Sequence, residues 1–225
     1  EKLPQNIGRS AIRNLMAKKA KYSWLLFIDC DSKIATKNFI KNYINSVLNN
    51  KRVDKGGITI HSNCAYYGST IYSLKKESKN KILHWKYGSK IESKRKKDNF
   101  SSHHFLIHKK IFNEIKFDEN ISSYGYEDVF LGISSKLKHK VKYIDNPLYH
   151  MGIKTTDKFI KDTEESLKNL IKYSNKKEVL KRVKLLRTWR KISTIYLDII
   201  IILLFNSFKS IILRNLHSKN PSLLL

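Results

Sequence analysis

The chain has 225 residues, 41% of them hydrophobic, with 45 Lys and Arg against 19 Asp and Glu, a formal net charge of +26. That length and apolar content exclude a disordered chain and suit one large α/β domain, alone or with a helical appendage. The two cysteines, Cys30 and Cys64, stand in no Cys-x-x-Cys or Cys/His ligand spacing, which excludes a disulfide framework and a zinc module and fits a reducing cytosol. The charge favours polyanions such as nucleic acid, anionic lipid or phosphorylated substrates. Lys, Ile and Asn are abundant along the whole chain, however, so charge alone selects none of these.

Residues 10 to 21 read as a helix, because Ile12, Leu15, Met16 and Ala20 recur at helical spacing. The apolar run 24 to 28 has the composition of a buried strand and stops at Asp29-Cys30-Asp31-Ser32. It thus delivers carboxylates where open α/β sheets place their ligands. Phe39, Ile40, Tyr43, Ile44, Val47 and Leu48 form the apolar stripe of a second helix. Gly56-Gly57 turns the chain into a short strand, Ile58 to Ile60, and residues 62 to 99, polar and Lys-rich, are expected to carry loops. Phe105 to Ile107 reads as a strand, followed by a short helix around Ile111, Phe112 and Ile115.

Tyr124-Gly125-Tyr126 then leads into Glu127-Asp128, paired acids at a helix start, where exposed N–H groups and the helix dipole favour them. Val129, Leu131, Ile133 and Leu137 continue that helix. A strand at Val141 to Ile144 and an Asn146-Pro147 turn bring the chain to His150. Beyond Gly152 the sequence predicts helices over 155 to 174 and 177 to 191, the second strongly basic, and then a mostly apolar stretch from Ile192 to Leu213.

Each chemical feature has an ordinary reading beside the functional one. Asp29 and Asp31 alone are equally turn and N-cap residues, and Glu127 and Asp128 alone are a helix cap. His150 alone is a hydrogen-bonded structural histidine, and Arg13 a surface or helix-packing arginine. Together the four acids and His150 make a set able to hold a divalent cation and supply a base.

At these residues the sequence resembles family 2 glycosyltransferases, inverting enzymes of the GT-A fold. Four segments match in family order. They are Asn6-Ile7-Gly8-Arg9-Ser10-Ala11-Ile12-Arg13-Asn14; Leu26-Phe27-Ile28-Asp29-Cys30-Asp31, ending in the DxD motif; Phe117-Asp118-Glu119 with Tyr124-Gly125-Tyr126-Glu127-Asp128; and Asn146-Pro147-Leu148-Tyr149-His150. The resemblance covers about residues 6 to 150 and implies an α/β, GT-A-like nucleotide-sugar-binding fold, a partial Rossmann-like mixed sheet. It places a glycosyltransferase domain lacking its first strands at 1–152 and a helical extension, basic then apolar, at 153–225. Nothing before Asn6 matches the strands that usually bind the donor's base, and His103-His104 stand where the family often has small or amide residues.

The activity implied is transfer of a sugar from a nucleotide-sugar donor to a hydroxyl of a saccharide or lipid-linked acceptor, as in polysaccharide biosynthesis. Negative charge growing on the departing diphosphate calls for a divalent cation, Mn2+ or Mg2+. Asp31, Asp29 and His150 are its candidate ligands, Asp29 reaching either the ribose or a water of the cation. By the resemblance Asp128 is the base that takes the acceptor's proton, and Glu127 orients the acceptor or holds the loop. Arg13 is a candidate to neutralise donor phosphate.

Two other readings compete. Phe27-Ile28-Asp29-Cys30-Asp31-Ser32 also resembles the opening of haloacid-dehalogenase-type phosphohydrolases, although no Gly-Asp-x-x-x-Asp block follows. A basic nucleic-acid-binding module is the other, with Tyr66, Tyr67, Tyr72 and Trp85 as a stacking surface; it lacks any recognisable binding motif. A cytoplasmic, membrane-peripheral location fits the C-terminal segment better. Asp198, Asn206 and Lys209 interrupt its apolar stretch, which favours a helix in the interface of an anionic membrane over one that spans it; a core helix packed on the domain or on another subunit is the ordinary alternative.

Overall fold

The computed structural model describes residues 3–54, 57–60, 64–94, 100–121, 123–134 and 141–223. The first part of the chain forms α1 (Arg9–Lys19), β1 (Trp24–Ile28), β2 (Ser32–Ile34), α2 (Phe39–Leu48), β3 (Lys51–Asp54) and β4 (Gly57–Ile60). Then come β5 (Ala65–Tyr67), β6 (Thr70–Ile71), α3 (Ile82–Lys90), β7 (His104–His108), α4 (Lys109–Ile115) and α5 (Glu127–Ile133). The chain closes with β8 (Val141–Tyr143), β9 (Leu148–His150), α6 (Thr156–Lys172), α7 (Lys177–Arg182), α8 (Lys184–Thr194) and α9 (Leu197–Leu216). The molecule is therefore of mixed α/β class, built on mixed sheets.

The main sheet has the order β1-β7-β5-β8. Only β7 runs against its neighbours: it is antiparallel to β1 and to β5, while β5 and β8 are parallel. Side chains alternate between the two faces of a strand. Leu25, Phe27, Ala65, Tyr67, Phe105 and Ile107 accordingly face one way, onto Ala17 of α1, Ile111 and Phe112 of α4 and Leu131 of α5. Trp24, Leu26, Tyr66 and Leu106 face the other way, onto Phe39, Tyr43 and Val47 of α2. A sheet covered on both faces needs apolar side chains at every position, which is why β1 is an unbroken apolar run.

A second sheet, β2-β9-β6, pairs Ser32 with His150 and so brings the residue after Asp31 beside the end of β9. A third core, Ile121, Leu170, Tyr173, Val179 and Val183, packs α6 and α7 against Val129, Phe130 and Ile133 of α5. The C-terminal helices are thus anchored on the element that carries Glu127 and Asp128.

Several expectations need correction. Within 62 to 99, β5 is an inner strand of the main sheet with all three residues buried, and α3 buries Ile82, Leu83 and His84. Three residues are too few to show a period, and the neighbours β7 and β8 supply what local preference lacks. Tyr66, Tyr67 and Tyr72 are core residues and offer no base a stacking surface. The stripe of α2 is narrower than the sequence suggests: Phe39, Tyr43 and Val47 are buried, whereas Ile40, Ile44 and Leu48 are exposed. The helix expected over 177 to 191 breaks at Val183, whose backbone is extended and whose side chain enters the third core. Gly56, expected in a turn, and Leu137, expected to extend α5, lie outside the described residues.

Candidate active site

The main sheet ends its β1 ladder with one further bond, from Asp29 N–H to the carbonyl of His103 at 3.0 Å. Asp29 therefore leaves the strand at its C-terminal edge, half-buried. There it meets Arg13 from α1, whose Nη2 lies 2.7 Å from Asp29 Oδ1 while Nη1 lies 3.5 Å from Glu127 Oε1. Arg13 is buried, and its guanidinium also lies over the Phe117 ring at 5.1 Å. Glu127 is buried too, and Arg9 adds a second contact at 3.5 Å. One guanidinium, with its rigid fork of donors, thus ties the strand end to a helix start that lies 114 residues beyond the arginine itself.

The neighbouring Asn14 makes a parallel junction. Its side chain donates to the Phe117 carbonyl at 2.9 Å and to Glu119 at 2.8 Å, and accepts from the Phe117 N–H at 3.0 Å. Glu127 and Asp128 follow a turn with two left-handed residues, Gly125 at φ 99° and Tyr126 at φ 67°. A Cβ at position 125 would come 2.3 Å from Ser166 Cβ, so both the φ and the space demand glycine. Tyr126 holds a conformation that costs a non-glycine residue on the order of 1–2 kcal/mol, strain of the kind that gathers at functional turns. Asp128, at the first turn of α5, accepts from the Val129 N–H at 2.7 Å.

Asp31 and His150 meet directly: His150 Nε2 lies 3.4 Å from Asp31 Oδ2. The hydrogen bond from His150, opposed by partial burial and reinforced by the electrostatic pull of the neighbouring imidazoles, holds the Asp31 carboxyl down to about 2. Met151 N–H donates to the Asp31 carbonyl at 2.8 Å, fixing the turn against β9. Around His150 stand the rings of His103 at 5.3 Å, His84 at 5.5 Å and Tyr72 at 5.5 Å between centroids. His103 is held at both nitrogens, by Ser32 Oγ and Thr70 Oγ1, each at 2.9 Å. His84 accepts from the Lys154 N–H at 2.9 Å and stacks on Phe159. Burial pushes both His84 and His103 down to about 4, so both are neutral near pH 7. His150 Nδ1 is buried without a hydrogen-bond partner.

The structure thus joins Asp29, Arg13 and Glu127 in one cluster and Asp31 and His150 in another, Asp31 being two residues from Asp29 along the chain. Arg13, read from sequence as a phosphate ligand or a packing arginine, is held by two carboxylates. His84 and Gly152 are neighbours that sequence reasoning did not single out, and His103 was noted only as a departure from the family pattern; no spacing marks them. A shallow cavity of about 180 Å³ opens beside the start of α1, lined by Leu3, Ile7, Gly8 and Ile12, and shares Arg9 with the Glu127 cluster.

Gly152 has a specific geometric duty. A Cβ there would fall 2.0 Å from Asp31 Oδ2. Gly152→Ala is therefore expected to rotate the Asp31 carboxylate away from His150, at a conformational cost of about 0.5–1.5 kcal/mol. A crystal structure of the variant checks this; an Asp31–His150 separation unchanged from 3.4 Å would contradict it.

No protein-family model matches this chain, and no curated protein matches it either.

Proposed function

We propose that this chain is a metal-assisted, inverting glycosyltransferase that uses a nucleotide-sugar donor. The observation that carries the reading is the convergence of the segments on which the family resemblance rests. Asn14 is bound to Phe117 and Glu119, Arg13 to Asp29 and Glu127, and Asp31 to His150. Segments up to 119 positions apart meet at one edge of the sheet, where open α/β folds bind ligands.

The donor set suits an oxygen-preferring cation. Asp31 and His150, whose Oδ2 and Nε2 lie 3.4 Å apart, are the residues that would hold it. Among the described residues no group of three or more His, Cys, Asp or Glu is placed to hold a metal ion. The cation proposed is Mg2+ or Mn2+, hard ions that keep waters and take substrate phosphates as ligands. When bound, the cation would supply charge stabilisation for the departing diphosphate.

The chain's own residues supply the rest. In the transfer, the bond from the anomeric carbon to the diphosphate oxygen breaks as the acceptor oxygen bonds to the opposite face of that carbon. The acceptor's proton passes to the Asp128 carboxylate. Glu127 and Arg13 position Asp128 by fixing the first turn of α5 against Asp29. A hydrolase using Asp29 as nucleophile has less support, because Arg13 already holds its Oδ1 at 2.7 Å.

Asp128→Asn separates these roles, since the amide is nearly isosteric but takes no proton. Turnover is expected to fall by about 10²–10⁴-fold with donor affinity within a few-fold of the parent. Transfer assays with a panel of nucleotide sugars and Mn2+ provide the rates, and near-normal turnover would eliminate Asp128 as the base.

A further inference from the structure

The C-terminal helices present an apolar surface for which the fold has no use. In α9 no residue is buried, and Ile199 through Phe205 are each 37–61% exposed. Further along, Phe208 and Ile211 extend the face begun by Ile201 and Leu204, at the i, i+3, i+7, i+10 spacing of one side of a helix. Asp198 and Lys209, eleven residues apart, share another side. Exposed apolar area this continuous marks a surface that something covers.

The helix before it carries the complementary charge. Along α8, Leu185, Trp189 and Ile192 share one side, and Lys184, Arg187, Arg190 and Lys191 occupy the other. Leu185 and Trp189 are exposed, and α7 adds Lys177, Lys181 and Arg182 just upstream. A cationic face beside an exposed apolar face with an interfacial tryptophan is the arrangement that binds anionic bilayers.

The α8–α9 pair is fixed at its two ends to the same body, and this decides how it can meet lipid. At the leading end, Leu186 of α8 packs into the core of Leu170, Tyr173 and Val179. At the trailing end, His217 Nε2 bonds Asp157 of α6 at 2.8 Å, and Lys86 of α3 reaches Asn220 at 2.7 Å and the Pro221 carbonyl. A helix pair tied at both ends to one side returns to the side from which it starts. Among the described residues no single helix is long and apolar enough to span; α8 and α9 pass by length and composition only as a pair, bent by 107° at the break between them.

We propose that α8 and α9 form a strap that lies in the interface of an anionic phospholipid bilayer, α9 embedded shallowly and the basic side of α8 against the headgroups. The strap ends on α3 and α6; His84 of α3 stands beside His150 and Phe159 of α6 stacks on His84, so binding would hold the candidate site close to the lipid surface. This inference is independent of the transferase reading.

Flotation of the full chain with vesicles of phosphatidylcholine, alone or mixed with phosphatidylglycerol, tests it. The chain is expected to float with the mixed vesicles at low salt, and its fluorescence to be quenched by brominated lipid in a component that Trp189→Phe removes. Arg187→Glu with Arg190→Glu should weaken partitioning by about 5-fold or more for each cation lost. Leu204→Ser with Phe208→Ser, at exposed positions, should abolish it with circular dichroism unchanged. A chain that stays in the dense fraction with both vesicles overturns the proposal. So does one that sediments as a dimer dissociated by Leu204→Ser and Phe208→Ser without floating, which would assign the surface to a second copy.

Discussion

Replacing Arg13 with Met is expected to lower stability by about 3–5 kcal/mol, the usual consequence of removing one partner from a buried ion pair. Among the described residues Glu127, buried beside it, would keep only the 3.5 Å contact from half-exposed Arg9, and Asp29 would lose its 2.7 Å bond. For a domain of this size that is a fall in midpoint temperature on the order of 10 °C. Arg13→Lys should recover little, because an ammonium is a point charge and cannot span two carboxylates as the guanidinium fork does. A second change tests the cause. With Glu127→Leu added, much of the loss should return, since replacing both members of a buried pair by apolar groups is far less costly than removing one. Urea denaturation of the single and double variants provides the numbers. An Arg13→Met protein within about 0.5 kcal/mol of the parent would show that the clamp holds nothing together.

Stability is also expected to collapse between pH 6.5 and 4. Burial lowers His84, His103 and His104 each from 6.5 to about 4. In the unfolded chain these rings take protons near pH 6.5, and in the folded chain only near 4. The unfolded state therefore binds more protons throughout that window, and stability falls as pH falls through it. A shift of 2.5 units is on the order of 3 kcal/mol for each ring, against a total stability of about 5–15 kcal/mol. Asp31 acts lower. Its carboxyl is depressed, so its contribution is complete above about pH 4 and is lost as pH falls toward about 2. His104 offers the clean test, being fully buried and bonded to Tyr43 Oη at 2.7 Å and to the Ser69 carbonyl at 3.3 Å. His104→Gln should flatten the slope of stability against pH between 6.5 and 4. A parent whose urea midpoint is constant from pH 7 to 5 would refute the assignment.

What could be read from sequence follows from how each element is stabilised. Helix α1 and strand β1 were legible because their patterns are local, helical recurrence and an apolar run on a sheet covered twice; the segment of β9, ending in His150, was marked by the family resemblance and not by any pattern in its three residues. Strand β5 was illegible because its three residues owe their state to β7 and β8 on either side. The break at Val183 was hidden because Lys, Leu and Arg on both sides favour helix, and only the third core pulls Val183 inward. At the site, the acids and His150 stood out by type and order. Their partners did not: Arg13 reads equally as a phosphate ligand and as a packing arginine, with nothing local to mark the two carboxylates that hold it, and His103 and Gly152 matter through contacts that no spacing encodes.

The central claim is a cation-dependent nucleoside diphosphate site built on Asp31 and His150, and calorimetric titration of nucleoside diphosphates into the full chain tests it most directly. With Mn2+ present, at least one nucleoside diphosphate should bind, and removal of the metal with a chelator should weaken that binding by at least about 10-fold, or 1.4 kcal/mol. Asp31→Ala and His150→Ala should each produce a comparable loss in the presence of Mn2+, with Asp128→Asn close to the parent. Affinity that is equal with and without the cation, or unchanged in Asp31→Ala, would contradict the account.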